Sequence, residues 1–322
     1  MKYTKLGRAG ARVSRIALGT MNMGPVIGEE ESFEILDAAF EAGVNFFDTA
    51  DVYGGRPWGD EPGQTEELVG RWLSSRGHRD EIVLATKVYG RMGAGVNDEG
   101  LSSLNIRRAV EASLRRLQTD RIDLYQMHHI DKGVHVDEVQ DAFSRLADQG
   151  KIVYVGSSNF AGWNIAQYQE NAVAGRRQPL VTEQSVYSLA KRTVELEVAP
   201  AAAEYGMGLL PWSPLAGGEL AGVLRKTDTS RSDAARLSGH RREQVERYER
   251  FADDRGVDPA ALGLAWLLHQ PTVTAPIVGP RRMPHLHSAL ASLDIELTEE
   301  DLAELDRIWP GPGGPAPEAY AW

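Results

Sequence analysis

In the stretch Asn45-Phe46-Phe47-Asp48-Thr49-Ala50-Asp51-Val52-Tyr53, an apolar run with strand character ends in polar residues. Asp48 stands where the apolar run stops, and Tyr53 follows five residues later. A buried strand that brings a carboxylate and then a phenol to its C-terminal end is typical of the rim of a parallel barrel, where catalytic groups gather. Taken alone, the stretch is equally compatible with a strand-to-loop junction in which Asp48 caps the next segment. Features elsewhere in the chain distinguish the barrel rim from the simple strand-to-loop junction.

The composition limits the class of protein. The 322 residues suit one large α/β barrel or two average domains, and 42% hydrophobic with 25% charged residues is ordinary for a globular chain. The net charge of -11 argues against general nucleic-acid binding, because no basic excess exists to neutralise phosphates. The lack of cysteine excludes disulfides, thiolate metal ligands and a cysteine nucleophile. No signal-peptide pattern or membrane-spanning apolar run occurs, which predicts a soluble cytoplasmic protein without a membrane partner.

Short apolar segments alternate with segments of helical periodicity along the whole chain. The predicted strands are 15–21, 45–48, 81–87, 122–128, 152–159, 180–184, 208–214 and 274–279. The predicted helices are 32–42, 65–73, 104–117, 136–147, 165–174, 194–205, 244–255, 259–269, 286–293 and 299–309. Eight strands alternating with helices, without a break in composition, predict a (β/α)8 TIM barrel, an α/β fold, as one domain over residues 1–322.

Two segments lie outside this alternation. Residues 3–14 predict a short N-terminal hairpin, and the Pro/Gly-rich residues 310–322 predict an irregular C-terminal tail. The aromatic end of the tail predicts that it folds back over the barrel mouth or onto a partner subunit. A doubly wound open sheet is the alternative fold. Such a sheet, if it bound a dinucleotide, would be expected to carry G-x-G-x-x-G after its first strand, and Gly19-Thr20-Met21-Asn22-Met23-Gly24 does not match that spacing.

In a barrel, the C-terminal ends of all strands face one mouth, which would bring Asp48, Lys87 and His128 together beside Tyr53. A neighbouring ammonium is expected to lower the pKa of a phenol from its free value of ~10 toward the working pH. A buried lysine needs a partner, which Asp48 can supply. A neutral histidine can donate a hydrogen bond to a substrate oxygen. This set suits proton donation to an oxygen that gains negative charge, as happens when hydride adds to a carbonyl.

A metal site is the competing interpretation of the same mouth. His128 and His129 could coordinate a metal ion together with Asp48 and Asp131, as in a barrel hydrolase. Against this, no His-x-His pair ends the first strand, and Lys87 would place a positive charge close to the ion. The prediction is therefore that the chain holds no metal.

A set of spaced segments resembles the aldo-keto reductase family over essentially the full chain. The segments are Leu18-Gly19-Thr20, Asn45-Phe46-Phe47-Asp48-Thr49-Ala50 with Tyr53-Gly54, Ala85-Thr86-Lys87, Asp123-Leu124-Tyr125-Gln126-Met127-His128, Gly156-Ser157-Ser158-Asn159, Trp212-Ser213-Pro214-Leu215 and Gly279-Pro280-Arg281. Any one segment is a weak signal, but the spaced set is highly specific. Within the family the chain is most similar to the bacterial, potassium-channel-β-subunit-like branch, in which Trp-Ser-Pro-Leu is common.

The resemblance implies roles for individual residues. Tyr53 would be the general acid, with Lys87 and Asp48 as its tuning pair, while His128 would orient the substrate and His129 would help to shape its pocket. NADPH would lie extended across the mouth. The implied cofactor-binding residues are Gly19, Thr20, Met21 and Asp48 near the nicotinamide and ribose, Ser158, Asn159 and Gln184 at the carboxamide, Trp212 stacked on the nicotinamide, Ser213, Pro214, Leu215 and Gly217 along the pyrophosphate, and Gly279, Arg281 and His285 at the adenosine end.

Arg281 falls where relatives hold the adenosine 2′-phosphate, and a planar guanidinium suits a phosphate dianion. NADPH is therefore expected over NADH. The chain departs from many relatives at Gly222-Val223-Leu224, where a Gly-Lys pair often contacts the pyrophosphate. It departs again at Ser288-Ala289, where Glu-Asn often contacts the adenine.

The sequence therefore predicts an NADPH-dependent oxidoreductase that reduces an aldehyde or ketone. The alternative is a regulatory subunit that binds NADPH as a redox sensor and turns over little. A sugar-nucleotide ketoreductase is a further candidate within the enzyme class. The choice of physiological substrate depends on loop conformations that the sequence does not specify. The sequence is compatible with a homo-oligomer but does not determine the oligomeric state.

Overall fold

The strands of the barrel follow the predicted alternation. The protein is described by a computed structural model over residues 1–57, 59–225, 234–316 and 318–321. The strands are β1 (Tyr3–Lys5), β2 (Arg12–Ser14), β3 (Ala17–Gly19), β4 (Phe46–Asp48), β5 (Val83–Val88), β6 (Ile122–Met127), β7 (Ile152–Ser158), β8 (Leu180–Gln184), β9 (Gly208–Leu209) and β10 (Ile277–Val278). Within the described residues, eight parallel strands form one sheet in the order β10-β3-β4-β5-β6-β7-β8-β9.

The two ends of this sheet meet. Leu209 donates its amide to the Thr272 carbonyl at 2.8 Å, and the Thr274 amide donates to the Leu209 carbonyl at 2.9 Å. The Ile277 amide donates to the Pro211 carbonyl at 2.9 Å. These bonds join β9 to the segment that enters β10, so the sheet closes on itself. The predicted (β/α)8 barrel is confirmed, and the open-sheet alternative is not what forms.

Helices cover the outside of the barrel. They are α1 (Glu29–Glu41), α2 (Gln64–Arg76), α3 (Ser103–Arg116), α4 (Val136–Asp148), α5 (Gly162–Gly175), α6 (Val198–Glu204), α7 (Gly239–Asp254), α8 (Pro259–His269), α9 (Met283–Ala291), α10 (Glu299–Ile308) and α11 (Glu318–Ala321). α3 shows why they form where they do. Ser102 caps its start by accepting a bond from the Asn105 amide at 3.2 Å, and the buried residues Ile106, Val110 and Leu114 recur at helical spacing.

Three of the differences from the predicted elements concern a helix, a loop and the tail. The helix expected at 194–205 is divided into a 3₁₀ turn, Thr193–Glu195, and α6, in which Pro200 occupies the first turn, where its missing amide costs nothing. The long loop at 216–243 is shorter than expected because α7 begins at Gly239, while residues 226–233 of that loop lie outside the described residues. The tail is irregular up to residue 316 and then forms the single helical turn α11.

The N-terminal hairpin forms as predicted and closes the bottom of the barrel. β1 pairs with β2 in antiparallel register from Tyr3↔Ser14 to Lys5↔Arg12. Leu6 and Val13 are fully buried and belong to one cluster with Phe46 and Leu124, which point into the barrel. Gly7 has a φ of 55°, and a Cβ there would lie 2.3 Å from the Val181 carbonyl oxygen. The turn between the two strands therefore requires glycine.

The barrel interior changes from apolar to polar toward the mouth. Because side chains alternate along a strand, the residue two positions after an inward-facing one also points inward. Phe46 is thus followed by Asp48, Ala85 by Lys87, and Leu124 by Gln126. The apolar layer packs against the hairpin, and the polar layer above it forms the floor of the mouth.

The tail returns to the mouth end of the barrel. The Ala316 amide donates to the Leu196 carbonyl at 2.8 Å, in the connection that follows β8. Arg192, in the same connection, donates to the Trp309 carbonyl at 3.1 Å. These contacts place residues 309–316 beside the mouth, in line with the expectation that the tail folds back. No helix in the part of the chain described by the structure is long and apolar enough to cross a membrane.

Candidate active site

A buried lysine lies at the centre of the mouth. Lys87 Nζ donates to Asp48 Oδ2 at 2.6 Å, to the Thr49 carbonyl at 2.8 Å and to the Tyr53 hydroxyl at 3.1 Å. Lys87 is fully buried, and Asp48 and Tyr53 are only 2% and 8% exposed. Neighbouring strands β4 and β5 thus bring the three residues into one hydrogen-bonded chain. The ammonium uses all of its three donor positions.

Two glutamines hold the other oxygen of the Asp48 carboxyl. Gln126 Nε2 donates to Asp48 Oδ1 at 3.0 Å, and Gln184 Nε2 donates to the same oxygen at 2.8 Å. Gln184 had been expected to bind a nicotinamide carboxamide, so such a contact would have to use its carbonyl oxygen. Sequence reasoning missed Gln126. The strand pattern could have identified it. Gln126 stands two residues before His128, so side-chain alternation along β6 predicts that it faces the barrel interior as well.

The pKa of Tyr53 moves opposite to the direction expected from the sequence. Burial raises the pKa of Tyr53 above its ordinary value, and the charge of Lys87 opposes this increase without reversing it. For Lys87, burial alone lowers the pKa, but Asp48 and then Tyr53 more than offset burial and raise it above its ordinary value. The expected net lowering of the Tyr53 pKa was wrong, although Lys87 does act in the expected direction. Tyr53 therefore stays protonated at neutral pH, and Lys87 stays charged.

His128 stands beside the phenol at the end of β6. Its ring meets the Tyr53 ring edge-on, with centroids 5.9 Å apart and an interplanar angle of 80°. Burial lowers the pKa of His128 well below its ordinary value, and Lys87 and His129 add to the decrease. The imidazole is therefore neutral at physiological pH. It can donate one hydrogen bond toward an oxygen placed next to the Tyr53 hydroxyl.

Rings continue from His128 along the rim. His129 stacks on His128 with centroids 5.4 Å apart and an interplanar angle of 10°, and Tyr89 meets His129 edge-on at 5.4 Å. His129 is exposed and Tyr89 is half-buried. We refer to Tyr89, His128 and His129 as the aromatic edge. It offers a flat, partly apolar surface next to the Tyr53 hydroxyl.

A turn after β7 faces the same opening. Asn159 adopts a left-handed backbone conformation with φ of 59°. Its Nδ2 donates to the His128 carbonyl at 3.2 Å and to Ser158 Oγ at 3.0 Å. Its Oδ1 accepts a bond from Trp212 Nε1 at 3.1 Å. Asn159 thereby connects the ends of β6 and β7 with the segment that follows β9.

Trp212 is anchored by its ring nitrogen but remains 37% exposed. An indole fixed at one edge and open on its face suits stacking against a flat heterocycle. The segment that follows, with Ser213, Pro214 and Leu215, curls through positive φ values at Ser213, Ala216, Gly217 and Gly218. Among the described residues, apart from Gly217 and its two chain neighbours, no heavy atom lies within 4 Å of the position that a Cβ would take at Gly217. A ligand can therefore approach this backbone closely.

The loop after β3 forms a further part of the rim, with β10 between β3 and β9 around the barrel. Thr20 Oγ1 donates to the Asp48 carbonyl at 3.0 Å, while Met21 beside it is half-buried. Asn22 Nδ2 donates to the Gly279 carbonyl at 2.9 Å, which ties this loop to the end of β10. A Cβ on Gly19 would lie 2.7 Å from the Ile277 side chain. Gly19, Thr20, Met21 and Gly279 thus stand together at one rim.

Arg281 lies further out, where β10 passes into α9. The Arg281 amide donates to His285 Nδ1 at 3.4 Å, and Arg282 is the N-terminal cap residue of α9. The first turn of α9 contains no acidic residue. Two arginines therefore stand in the sequence at the positive end of the α9 dipole, a combination that favours an anion at this position.

Comparison with known proteins gives the family. Residues 15–310 match the Aldo/keto reductase family. The chain belongs to that family. It is similar, at 48% identity over 100% of both chains, to the uncharacterized oxidoreductase YrpG of Bacillus subtilis. It is 33% identical to norsolorinic acid reductase A of Aspergillus parasiticus over 94% of this chain and 79% of that protein. It is 30% identical to the aryl-alcohol dehydrogenase [NADP(+)] of Phanerodontia chrysosporium over 95% of this chain and 87% of that protein.

This aldo/keto reductase is therefore an oxidoreductase, which confirms the reaction class predicted from the sequence. The finer placement in the potassium-channel-β-subunit-like branch stays a prediction. The metal-hydrolase alternative does not match the family. Nor do the described residues gather three or more His, Asp or Glu side chains in an arrangement that could hold a metal ion.

Proposed function

We propose that this aldo/keto reductase uses NADPH to reduce an aldehyde or ketone to the alcohol, with Tyr53 as the proton donor. The observation that carries the proposal is the chain Asp48–Lys87–Tyr53, in which a buried ammonium donates directly to a protonated phenol at 3.1 Å. A phenol in that position can protonate an oxygen at the mouth. The ammonium stabilises the phenolate that remains.

His128 and Lys87 have separate roles: His128 orients the carbonyl oxygen, and Lys87 stabilises the phenolate. The neutral His128 donates to the carbonyl oxygen and holds it toward the Tyr53 hydroxyl. When bound, NADPH would supply the hydride to the carbonyl carbon. The oxygen gains negative charge, Tyr53 transfers its proton to it, and Lys87 stabilises the phenolate through its existing hydrogen bond. Asp48 keeps Lys87 in place, because Gln126 and Gln184 fix the carboxyl on its other side.

The mouth fits NADPH along its length. Trp212 offers an open indole face for the nicotinamide, with Ser158 and Asn159 beside it for the carboxamide. The positive-φ backbone from Ser213 to Gly218 is accessible to a pyrophosphate. Arg281 and the N-terminus of α9 suit the 2′-phosphate. Arg225, which follows the position of the usual Gly-Lys pair, is bound to Glu249 and Asp253, so it is held away from that role.

The aromatic edge points to the class of carbonyl. Tyr89, His128 and His129 present flat rings next to Tyr53, and aromatic rings prefer offset-stacked or edge-on partners. One relative is named an aryl-alcohol dehydrogenase. We therefore propose an aromatic aldehyde or ketone as substrate. We also propose that the whole chain folds as one domain. The exposed His129 ring is proposed to contact the substrate.

The proposal is tested by NADPH consumption with an aromatic aldehyde across pH. We expect turnover, and we expect kcat at saturating NADPH to show no inflection between pH 6.5 and pH 10. The physical reason is that burial lowers the pKa of His128 well below 6.5 and raises the pKa of Tyr53 above 10.0, so neither group changes its charge in that range. The reverse oxidation needs the phenolate, so its rate should increase with pH at the alkaline end.

Two outcomes would contradict this expectation. An inflection of kcat near pH 6.5 would show that His128 titrates with an ordinary pKa. Tight NADPH binding without turnover of aromatic or aliphatic aldehydes would favour the redox-sensing alternative. A matched aliphatic aldehyde serves as the control for the aromatic preference.

Arg281→Ala is expected to weaken NADPH binding about 10- to 100-fold, the equivalent of one charge-assisted hydrogen bond. NADH binding should not change, because NADH lacks the 2′-phosphate. The measurement is tryptophan fluorescence during titration with each nucleotide. Arg107→Ala, which removes an exposed arginine from α3, is the control for net charge. Equal weakening of both nucleotides by Arg281→Ala would contradict the phosphate assignment.

A further inference from the structure

A buried carboxyl lies directly behind the turn that carries Ser158 and Asn159. Glu183 precedes Gln184 on β8, and Gln184 points into the barrel toward Asp48. Because side chains alternate along a strand, Glu183 points to the other side of the barrel wall. Its side chain is fully buried. It belongs neither to the Asp48–Lys87–Tyr53 chain nor to the surface that a cofactor would touch.

The partners of Glu183 are all uncharged donors. Its Oε1 accepts bonds from the Phe160 amide at 3.1 Å and from Ser185 Oγ at 2.7 Å. Its Oε2 accepts a bond from Ser157 Oγ. No basic side chain forms an ion pair or a hydrogen bond with Glu183 among the residues that the structure describes. Burial raises its pKa to about 7, with the hydrogen bonds opposing the increase.

These bonds hold both sides of the turn 157–160. Ser157 precedes Asn159 and Phe160 follows it, so the Glu183 carboxyl spans the residue with the left-handed conformation. The Asn159 amide donates to the Gln184 carbonyl at 3.0 Å, next to Glu183 on the same strand. A left-handed non-glycine residue is strained and needs support from its surroundings. Glu183 supplies that support from the outer side of the barrel wall.

The turn 157–160 positions the groups at the mouth. Asn159 accepts the bond that fixes the Trp212 ring and donates to the His128 carbonyl. Ser158 Oγ donates to the Gln184 carbonyl at 2.8 Å. A shift of the Phe160 amide would therefore move Ser158, Asn159 and the edge of Trp212 together.

We propose that Glu183 is a positioning residue for the nicotinamide carboxamide, because its acceptor oxygens hold the turn 157–160 in the shape that presents Ser158, Asn159 and Trp212 to the cofactor. The proposal rests on the NADPH-dependent function proposed above. What Glu183 must supply is an acceptor for the Phe160 amide. The serine hydroxyls can reverse their donor and acceptor roles, whereas the amide cannot. A neutral group of the same shape should therefore replace the carboxyl.

The test compares Glu183→Gln with Glu183→Ala in the full-length protein, with NADPH affinity measured by tryptophan fluorescence. Glu183→Ala is expected to weaken NADPH binding about tenfold, on the scale of one net hydrogen bond. Glu183→Gln keeps an acceptor oxygen for Phe160 and Ser185 and gains a donor for Ser157. It should bind NADPH with nearly the wild-type Kd.

A double-mutant cycle asks whether Glu183 acts through Asn159. Asn159→Ala should itself weaken NADPH binding, and adding Glu183→Ala should then cost little more, because both changes remove the same arrangement. Asp301→Ala is the structural control. Asp301 is a buried carboxyl that caps α10 through the Thr298 amide at 2.8 Å and lies outside the mouth. It should lower the melting temperature but leave the Kd for NADPH unchanged.

Three results would overturn the inference while NADPH binding by the wild type stands. These are a wild-type Kd in Glu183→Ala, equal losses in Glu183→Gln and Glu183→Ala, or full additivity with Asn159→Ala. Failure of the wild-type protein to bind NADPH would overturn the proposed function and this inference together.

Discussion

Tyr53→Phe is expected to lower kcat about a thousandfold, in the range that general acids contribute. The substitution removes the proton donor and leaves the ring, which packs edge-on against His128. Lys87 keeps its bonds to Asp48 and the Thr49 carbonyl, so the floor of the mouth should persist. NADPH binding should stay nearly unchanged, since the phenol is assigned no contact with the cofactor's phosphates. Steady-state turnover and fluorescence titration measure the two effects separately.

Tyr125→Phe provides the matched control for this experiment. Tyr125 lies on β6, is fully buried, and its hydroxyl has no hydrogen-bond partner among the described residues. Removing that hydroxyl makes the same chemical change without touching the proposed acid. Turnover should stay at the wild-type level. If Tyr53→Phe retained turnover close to that of Tyr125→Phe, Tyr53 could not be the proton donor.

Lys87→Met is expected to destabilise the fold by about 3–5 kcal/mol, as breaking one side of a buried ion pair does. Asp48 would remain buried with its Oδ2 deprived of the bond from Nζ, at a position only 2% exposed. Turnover should fall at least as far as in Tyr53→Phe, because the phenolate would lose its stabilising charge. Chemical denaturation gives the change in the free energy of unfolding, and the turnover assay gives the loss of activity.

The double variant Asp48→Asn/Lys87→Met separates the two roles of the pair. It removes the unpaired charge, and the new side-chain amide at position 48 would still offer its carbonyl oxygen as an acceptor to Gln126 and Gln184. We expect the double variant to regain much of the lost stability and none of the activity. Arg242→Met, which breaks an exposed pair with Glu246 on α7, should cost less than about 1 kcal/mol. A Lys87→Met loss no larger than that of Arg242→Met would contradict a structural role for the buried pair.

The local sequence pattern was sufficient to predict most of the architecture. The alternation of apolar and helical segments predicted the eight barrel strands and the hairpin, because period and breaker residues act over a few positions. It was less reliable at 194–205, where the predicted helix is divided into a 3₁₀ turn and α6 with Pro200 in its first turn. The meeting of Asp48, Lys87 and His128 at the mouth could be predicted, because the C-terminal ends of parallel strands in a barrel all face the same end.

Non-local contacts decided what the sequence left open or predicted wrongly. The direction of the Tyr53 pKa depends on how completely the phenol is buried against how close Lys87 comes, and neither quantity is encoded in spacing. Gln126 and Gln184 meet Asp48 from strands separated from β4 by more than seventy residues, so only the register of the sheet brings them together. The sequence did not point to Glu183, because the family resemblance assigned a role to its neighbour Gln184 only.

For this protein, the sequence by itself determined the (β/α)8 fold and the meeting of Asp48, Lys87 and His128 at the mouth, because these follow from residue type, period and order along the strands. Its resemblance to the aldo-keto reductase family supplied the reaction class. The tertiary structure alone decided the protonation of Tyr53 and His128, the double support of Asp48 and the position of Glu183 behind the turn 157–160. The physical reason is that pKa values and buried hydrogen bonds depend on burial and on partners from distant strands, which exist only once the barrel has closed.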